Sequence, residues 1–186
     1  MKILIVRHGD PDYSIDSLTP KGWREAEFLA QRLAQSPAKA YYCSPLGRAR
    51  DTASLTLERL GRSAQECPWL REFRGIVVRP DKGEEYICWD WLPQDWTPEE
   101  RFYRRDAWLQ PQVMAAGNVA KEYAWVAGEL DKLLESHGYR RNGSLYQAVE
   151  GNNDTIVFFC HFGVECVLLS RWLSSTCLLY TKPRPR

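Results

Sequence analysis

Two apolar segments of the sequence each end in a histidine that is soon followed by a glycine. Residues 3–6 lead into Arg7 and His8, and residues 155–160 lead into His161. Both segments are rich in β-branched or aromatic residues, which predicts buried strands. Ligands of open α/β sheets bind just beyond the carboxyl ends of the strands. We therefore expect both imidazoles on the same rim of a parallel sheet, and the chain has only three histidines in all.

Arg7 and His8 stand together at the first of these strand ends. An imidazole beside a guanidinium is typical of a nucleophile or base next to a clamp for an oxyanion. For these residues alone, a charged strand end in solvent is the alternative interpretation. A third segment, residues 41–53, runs from a strand into a helix and has Arg48 at the junction.

Together these motifs resemble the histidine phosphatase superfamily, the phosphoglycerate-mutase-like proteins. The matching pieces, in chain order, are Arg7-His8-Gly9, Leu18-Thr19-Pro20-Lys21-Gly22, Ser44-Pro45-Leu46-Gly47-Arg48-Ala49, Leu70-Arg71-Glu72 and His161-Phe162-Gly163. They span nearly the whole chain, and their combination is specific although no single piece is. The resemblance implies an α/β fold, a three-layer α/β/α sandwich with a mostly parallel central sheet, in a single domain of residues 1–186.

The resemblance also implies a role for each site residue. His8 is the nucleophile that becomes phosphorylated before water releases the phosphate. Arg7 and Arg48 each present a planar fork to the phosphoryl oxygens, and His161 stabilises charge from the opposite side. Since these groups neutralise the dianion, no metal and no other cofactor is expected.

Departure of the alkoxide requires an acid, and Glu72 matches the position where the smaller phosphatases of the family carry one. A surface glutamate paired with Arg71 or Arg74 is the alternative interpretation. Asp10 is the reserve candidate for the acid. An acidic residue directly after the second histidine, the acid-phosphatase arrangement, is missing because Phe162 stands there.

Three functions remain open at this point. We favour a metal-independent phosphatase acting on a small phosphorylated metabolite whose identity the sequence does not give. A phosphoglycerate mutase would return the phosphoryl group to its substrate, but mutases of this type tend to be longer. A non-catalytic module that binds a phosphorylated ligand on the same fold is the third alternative.

Composition excludes other classes of function. The chain of 186 residues is 44% hydrophobic and has a formal net charge of +1, so it gives no indication of nucleic-acid or membrane binding. The first strand begins at once, which leaves no room for a signal peptide and predicts a cytoplasmic protein. Six cysteines without C-x-x-C spacing predict free thiols rather than zinc ligands. The oligomeric state is open, with a homodimer as one option.

The elements that must position the site alternate between strand and helix. The patterns predict helices over 20–35, 46–60, 113–137 and 163–173, strands over 40–43 and 65–67, and an acidic loop over 10–18. Thr19 is the expected N-cap of the first helix and Gly61 the expected C-cap of the second. Asn142 and Gly143 predict a hairpin turn. His137, in the last turn of a helix, is interpreted as structural.

Residues 74–111 interrupt this alternation. They contain Trp89, Trp91, Trp96 and Trp108 among many charges and prolines. The segment is interpreted as an insertion over the active site that selects the substrate, and a small satellite core is the alternative. Residues 174–181 resemble a last strand that follows the preceding helix without the usual connection, and the basic residues 182–186 are expected to be a disordered tail.

Overall fold

The computed structural model describes residues 1–79, 83–88 and 93–174. The strands are β1 (Lys2–Arg7), β2 (Pro11–Asp12), β3 (Ser17–Leu18), β4 (Ala40–Cys43), β5 (Gln65–Glu66), β6 (Ile76–Val78), β7 (Glu85–Ile87), β8 (Tyr139–Asn142), β9 (Leu145–Ala148) and β10 (Thr155–Cys160). The helices are α1 (Pro20–Ala34), α2 (Gly47–Leu60), α3 (Pro93–Trp96), α4 (Gln112–Ala116), α5 (Val119–Ser136) and α6 (Phe162–Leu173), with short 3-10 helices at Pro68–Leu70 and Glu100–Tyr103.

The chain divides into two compact units. One consists of residues 1–72 and 150–165, and the other of residues 73–149 and the chain from Cys166 onward. The first unit contains every residue that the sequence analysis assigned to the site.

The first unit is built on a parallel sheet with the strand order β1-β10-β4-β5. In its register, Arg7 is paired with Cys160 and Phe159 with Cys43. The carboxyl ends of β1, β10 and β4 therefore lie side by side, and the residues that follow these strands share one rim. The predicted α/β class with a parallel central sheet is confirmed.

Apolar residues from α1, α2 and the sheet form the core of this unit. The cluster consists of Leu33, Ala38, Tyr41, Cys43, Ala49, Ala53, Val157 and Phe159. Because β10 is the central strand, its residues Ile156 to Cys160 are all buried. The rim beyond β10 is thus held by the most deeply packed strand of the sheet.

Both predicted helix caps are confirmed. The side chain of Thr19 accepts a hydrogen bond from the Gly22 amide at the start of α1. Gly61 has the left-handed φ of 60° that ends α2. These caps fix the ends of two helices that pack on the sheet.

Two segments differ from the sequence predictions. The expected acidic loop contains β2 and β3, which pair as a short antiparallel hairpin. The predicted helix over 113–137 is divided into α4 and α5, because Asn118 adopts a φ of 58° between them. That left-handed conformation breaks the helix although the apolar periodicity continues through it.

The second unit has its own aromatic core. Phe102, Trp108 and Met114 are buried, and the Trp108 ring meets Tyr123 edge-on with a centroid distance of 5.4 Å. Trp96 is also buried. Packing accounts for these two tryptophans, whereas Trp89 and Trp91 lie outside the described residues. Substrate selection by residues 74–111 stays a prediction.

Other predictions concern single features of the chain. The hairpin of β8 and β9 turns at Gly143, which has a φ of 57°, as expected. His137 is the C-cap residue of α5.

Five cysteines are free and buried, and Cys177 lies outside the described residues. Residues 175–181 of the predicted last strand and the basic tail also lie outside them. In the described part of the chain, no helix is long and apolar enough to cross a membrane.

Candidate active site

His8 directly follows β1, and its backbone and ring are both fixed by hydrogen bonds. Its amide donates to the Cys160 carbonyl at 3.1 Å, which extends the pairing of β1 with β10. Ring atom Nδ1 lies 2.7 Å from the Gly9 carbonyl oxygen. A carbonyl can only accept, so Nδ1 carries the proton in this bond. In the neutral ring, Nε2 then has a free electron pair, which is the atom a nucleophile needs.

His161 directly follows β10 and is fully buried. Its Nε2 lies 2.7 Å from the Ser44 hydroxyl oxygen. The Ser44 amide donates to the Phe159 carbonyl at 2.9 Å, so this serine, which directly follows β4, is itself tied to β10. Nδ1 of His161 is buried and has no hydrogen-bond partner among the described residues. A buried polar atom without a partner is rare in folded proteins and requires an explanation.

The two imidazoles face each other across the rim of the sheet. Their ring centroids are 5.1 Å apart, with an angle of 53° between the ring planes. The prediction that both histidines share one rim is therefore confirmed. The third histidine, His137, belongs to the second unit.

Burial lowers the pKa of both histidines. For His8, desolvation is the largest cause, the Gly9 carbonyl opposes it, and the charges of Arg48 and Arg7 add to the lowering. For His161, desolvation followed by the charge of Arg48 and the proximity of His8 lowers the pKa to about 3. Both rings are thus neutral at pH 7, which preserves the electron pair of His8.

Arg48 lies in the first turn of α2 and is buried. Its Nη1 forms an ion pair with Oδ1 of Asp16, and its guanidinium carbon lies 5.4 Å from the centroid of the Tyr13 ring. Its Nε is buried and has no partner among the described residues. Arg48 is therefore held on one side and still has a donor for an anion.

Arg7 ends β1 and is more exposed than Arg48. Its guanidinium carbon lies 5.7 Å from the centroid of the Phe162 ring. A flat cation over an aromatic face is stabilised without using its hydrogen-bond donors. Phe162 replaces the acid expected in acid phosphatases and so gives Arg7 a packing surface instead.

Helix α2 is connected to the loop after His8 through Thr52. The Gly9 amide donates to the Thr52 hydroxyl at 3.0 Å, and this hydroxyl donates to the Arg48 carbonyl at 2.8 Å. The loop that carries the candidate nucleophile is thereby linked to the helix that carries the buried arginine.

The two candidate acids lie in different surroundings. Oε1 of Glu72 accepts from the Gly163 amide at 2.9 Å, which joins Glu72 to the segment that follows His161. Oδ2 of Asp10 instead accepts from the Thr19 hydroxyl at 2.7 Å, at the start of α1, and Asp10 also pairs with Lys21. Of the two, Glu72 is the carboxylate that accepts a hydrogen bond from the segment following His161.

Sequence reasoning did not assign a role to Asp16 or Ser44. Ser44 belongs to a motif that was recognised, so the motif itself was a signal. Asp16 lies in the hairpin of β2 and β3, and its Oδ2 accepts from the Gly47 amide at 2.7 Å. The sequence offered only an indirect indication of this contact. Leu46, the N-cap residue of α2, has no side-chain acceptor for the first amides of the helix, so an acceptor from elsewhere in the chain is expected.

In the described part of the chain, no group of three or more histidine, cysteine, aspartate or glutamate side chains is arranged to hold a metal ion. The groups that converge on the rim are imidazoles and guanidiniums, which suit an anion.

Comparison with known proteins identifies the family of the chain. Residues 3–105, more than half of the chain, match the family model of the histidine phosphatase superfamily (branch 1). The chain belongs to this superfamily, as its motifs predict.

One curated relative is a 2,3-bisphosphoglycerate-dependent phosphoglycerate mutase from Thermoplasma acidophilum. It is 31% identical over 97 residues, which are 46% of this chain and 48% of the mutase. The match thus spans about half the length of that relative.

Solved structures of phosphatases share the fold. A phosphoserine phosphatase from Entamoeba histolytica, solved in complex with 3-phosphoglyceric acid, matches with a TM-score of 0.60 and 17% identity over 99% of this chain and 85% of that chain. Mycobacterial glucosyl-3-phosphoglycerate phosphatase matches with a TM-score of 0.56 and 19% identity over 96% of this chain and 82% of that chain. At these identities the likeness shows the fold alone.

Proposed function

We propose that this chain is a phosphatase that hydrolyses a small phosphorylated metabolite through a covalent phosphohistidine at His8. One observation carries the proposal: the Nδ1 of His8 is tied to the Gly9 carbonyl, so that its Nε2 is free, while the neutral ring of His161 lies 5.1 Å away. A neutral imidazole with a fixed orientation is a suitable nucleophile for in-line attack on phosphorus.

In the first half of the proposed reaction, the electron pair of His8 Nε2 forms a bond to phosphorus. The ester P–O bond breaks, and the leaving alkoxide takes a proton from the carboxyl group of Glu72. Arg7 and Arg48 bind the phosphoryl oxygens, and His161 donates a hydrogen bond to them. Positioning and electrostatic stabilisation provide most of the catalysis in transfers of this kind.

In the second half, water attacks the phosphohistidine. The carboxylate of Glu72 takes a proton from the water, the P–N bond breaks, and its electron pair returns to Nε2. Glu72 is thereby restored to the acid that the next turnover requires. The contact of Glu72 with the Gly163 amide supports this role, because it holds the carboxyl group beside the segment that begins at His161.

The cationic groups of the chain supply the charge that a metal would otherwise provide. Arg7 and Arg48 carry fixed positive charges, and the proposed mechanism contains no step that needs a Lewis acid. We therefore expect kcat/KM to be unchanged by dialysis against a chelator. Loss of turnover that returns when Mg²⁺ or Zn²⁺ is added would contradict a metal-independent mechanism.

The mutase from Thermoplasma acidophilum supports a second candidate function, the transfer of a phosphoryl group between positions of phosphoglycerate. The two reactions share the phosphohistidine and differ in the group that accepts the phosphoryl. A mutase would require a 2,3-bisphosphoglycerate primer and would interconvert phosphoglycerates, whereas a phosphatase would release inorganic phosphate without a primer.

The test is phosphate release across a panel of phosphorylated metabolites, with His8→Ala as the matched inactive variant. We expect release from at least one ester by the wild type and none by the variant. Quenching the reaction in alkaline detergent should trap a phosphoryl group on the wild-type chain, because phosphohistidine is stable in base. Turnover that survives in His8→Ala, with no trapped adduct, would contradict the proposal. No turnover of any ester or phosphoglycerate would instead favour a binding module.

A further inference from the structure

Asp16 is an acidic residue placed against a cationic site. It lies in the turn between β2 and β3 with a left-handed φ of 49°. Its two carboxylate oxygens bind different parts of α2: Oδ2 accepts from the Gly47 amide at 2.7 Å, and Oδ1 pairs with Nη1 of Arg48. A carboxylate there repels a phosphate dianion, so its presence beside a phosphate site needs a separate explanation.

The role of Asp16 is indicated by which edge of the Arg48 guanidinium it contacts. Nη1 lies on the same side as the Cδ atom, whereas Nε–H and Nη2 form the opposite edge, which is one of the planar forks that bind oxyanions. Asp16 contacts Nη1, and Nε has no partner among the described residues. The carboxylate therefore does not occupy this fork, whose Nε lies buried within the protein.

We propose that Asp16 is a positioning residue that holds Arg48 at Nη1, so that the fork of Nε and Nη2 faces the phosphoryl group. This inference deepens the proposed phosphatase function and rests on Arg48 binding the phosphoryl group.

The surroundings of Arg48 support this role. The ring of Tyr13, three residues before Asp16, lies 5.4 Å from its guanidinium carbon. Ser17, the next residue after Asp16, donates to Oδ2 of Asp51 at 2.5 Å on the same helix. One segment of the chain thus contacts the face and one edge of the guanidinium and is itself fastened to α2. A long side chain held in this way loses less entropy when it binds a ligand.

The carboxylate also acts on the two histidines. Burial lowers the pKa of His8 and of His161, and the negative charge of Asp16 opposes that lowering in both. Its charge therefore reaches the rim where the phosphoryl group would bind.

Positioning and simple competition predict opposite signs for the same substitution. Asp16→Asn removes a negative charge from a cationic pocket. If Asp16 only competes with phosphate for Arg48, the variant should bind phosphate more tightly. A positioning residue would give weaker binding, because Arg48 loses its ion pair. Asparagine tolerates the left-handed backbone and retains an oxygen for the Gly47 amide.

The experiment measures the dissociation constant of inorganic phosphate by calorimetry and kcat/KM for p-nitrophenyl phosphate. The variants are Asp16→Asn, Asp16→Gly, Arg48→Ala and the two double variants. Asp12→Asn is the matched control, since Asp12 lies in the same hairpin and its carboxylate binds Ser14. Thermal unfolding of each variant shows whether it is folded, and glycine provides a second side-chain deletion that suits the positive φ.

We expect Asp16→Asn and Asp16→Gly to weaken phosphate binding about tenfold in the wild-type background and less than about twofold in Arg48→Ala, because coupled residues are not additive. Equal or tighter binding in Asp16→Asn would overturn the proposal, as would the same loss in both backgrounds. A wild-type chain that binds phosphate but hydrolyses no ester would contradict the phosphatase function alone. The dissociation constants of phosphate would then still test the role of Asp16. No phosphate binding at all would overturn both.

Discussion

The Ser44 hydroxyl and Nε2 of His161 are joined by a buried hydrogen bond of 2.7 Å between residues 117 positions apart in the sequence. The bond connects the ends of two neighbouring strands, β4 and β10. Since it occupies one ring nitrogen, it fixes the rotation of the imidazole and leaves Nδ1 for another partner. Ser44 therefore fixes the orientation of the His161 ring.

Replacing this serine should impair turnover. In Ser44→Ala, Nε2 of His161 loses its partner, and neither ring nitrogen then has one in the described chain. We therefore expect kcat/KM to fall about tenfold, or about 1.4 kcal/mol. The free energy of unfolding should fall by about 1–3 kcal/mol, because a buried polar group becomes unpaired. Ser54→Ala is the control, since that hydroxyl binds the Asp51 carbonyl within α2. Wild-type kinetics in Ser44→Ala would show that the bond is dispensable.

Arg48→Lys should cost more than the preserved charge suggests. A lysine provides a point charge and cannot present two parallel donors to a phosphoryl group. We expect kcat/KM to fall by about 10²-fold or more, which is about 2.7 kcal/mol of transition-state stabilisation. Arg50→Lys, an exposed position on the same helix, should retain wild-type kinetics. If the two lysine variants behave alike, Arg48 does not bind the transferred group.

Acidification should destabilise the fold through His161. Its pKa is about 3 in the folded chain and close to 6.5 when unfolded, so between these pH values the unfolded chain binds a proton that the folded chain does not. Stability therefore rises with pH across this window and falls as the pH is lowered from 6.5. Urea unfolding at pH 7 and pH 5 should show a smaller loss for His161→Gln than for the wild type. An identical loss in both chains would exclude His161 as the source.

Two glycine substitutions should change stability in opposite directions. A Cβ atom at Gly47 would lie 2.0 Å from the Asp16 carbonyl oxygen, so Gly47→Ala must displace the β2–β3 hairpin and should lower both stability and kcat/KM. A Cβ at Gly128, within α5, would meet no atom within 4 Å apart from the adjoining backbone of its own helix. Gly128→Ala should therefore stabilise the helix by about 0.5–1 kcal/mol. Thermal and urea unfolding measure both effects, and a Gly47→Ala chain as stable as the wild type would show that the hairpin can move away without cost.

The strand ends were predictable because they depend on local patterns. A short β-branched run followed by histidine and glycine identifies β1 and β10, and parallel pairing then brings His8 and His161 together. The cap at Thr19 follows from the same kind of short-range chemistry. Local signals of this kind located most of the strands and helices of the first unit.

The contacts of Asp16 and the break at Asn118 were not predicted, for different reasons. The Asp16 contacts depend on the path of a short hairpin with one left-handed residue, and composition gave only an acidic loop. The apolar residues keep the same helical spacing on both sides of Asn118, so a prediction from periodicity alone extends one helix through this residue. The sequence Gly117-Asn118 was the available signal, since both residues favour a left-handed turn.

The strand order of the sheet determines when the rim can form during synthesis. In the described sheet, β1 pairs only with β10, whose first residue comes 148 positions after the last residue of β1. In a nascent chain, β1, which ends at Arg7, therefore has no partner strand until β10 has left the ribosome. Such distant pairing slows folding, because a long loop must close before β1 and β10 can pair. Protection of the β1 amides from hydrogen exchange should accordingly arise together with that of β10, as a late and single event.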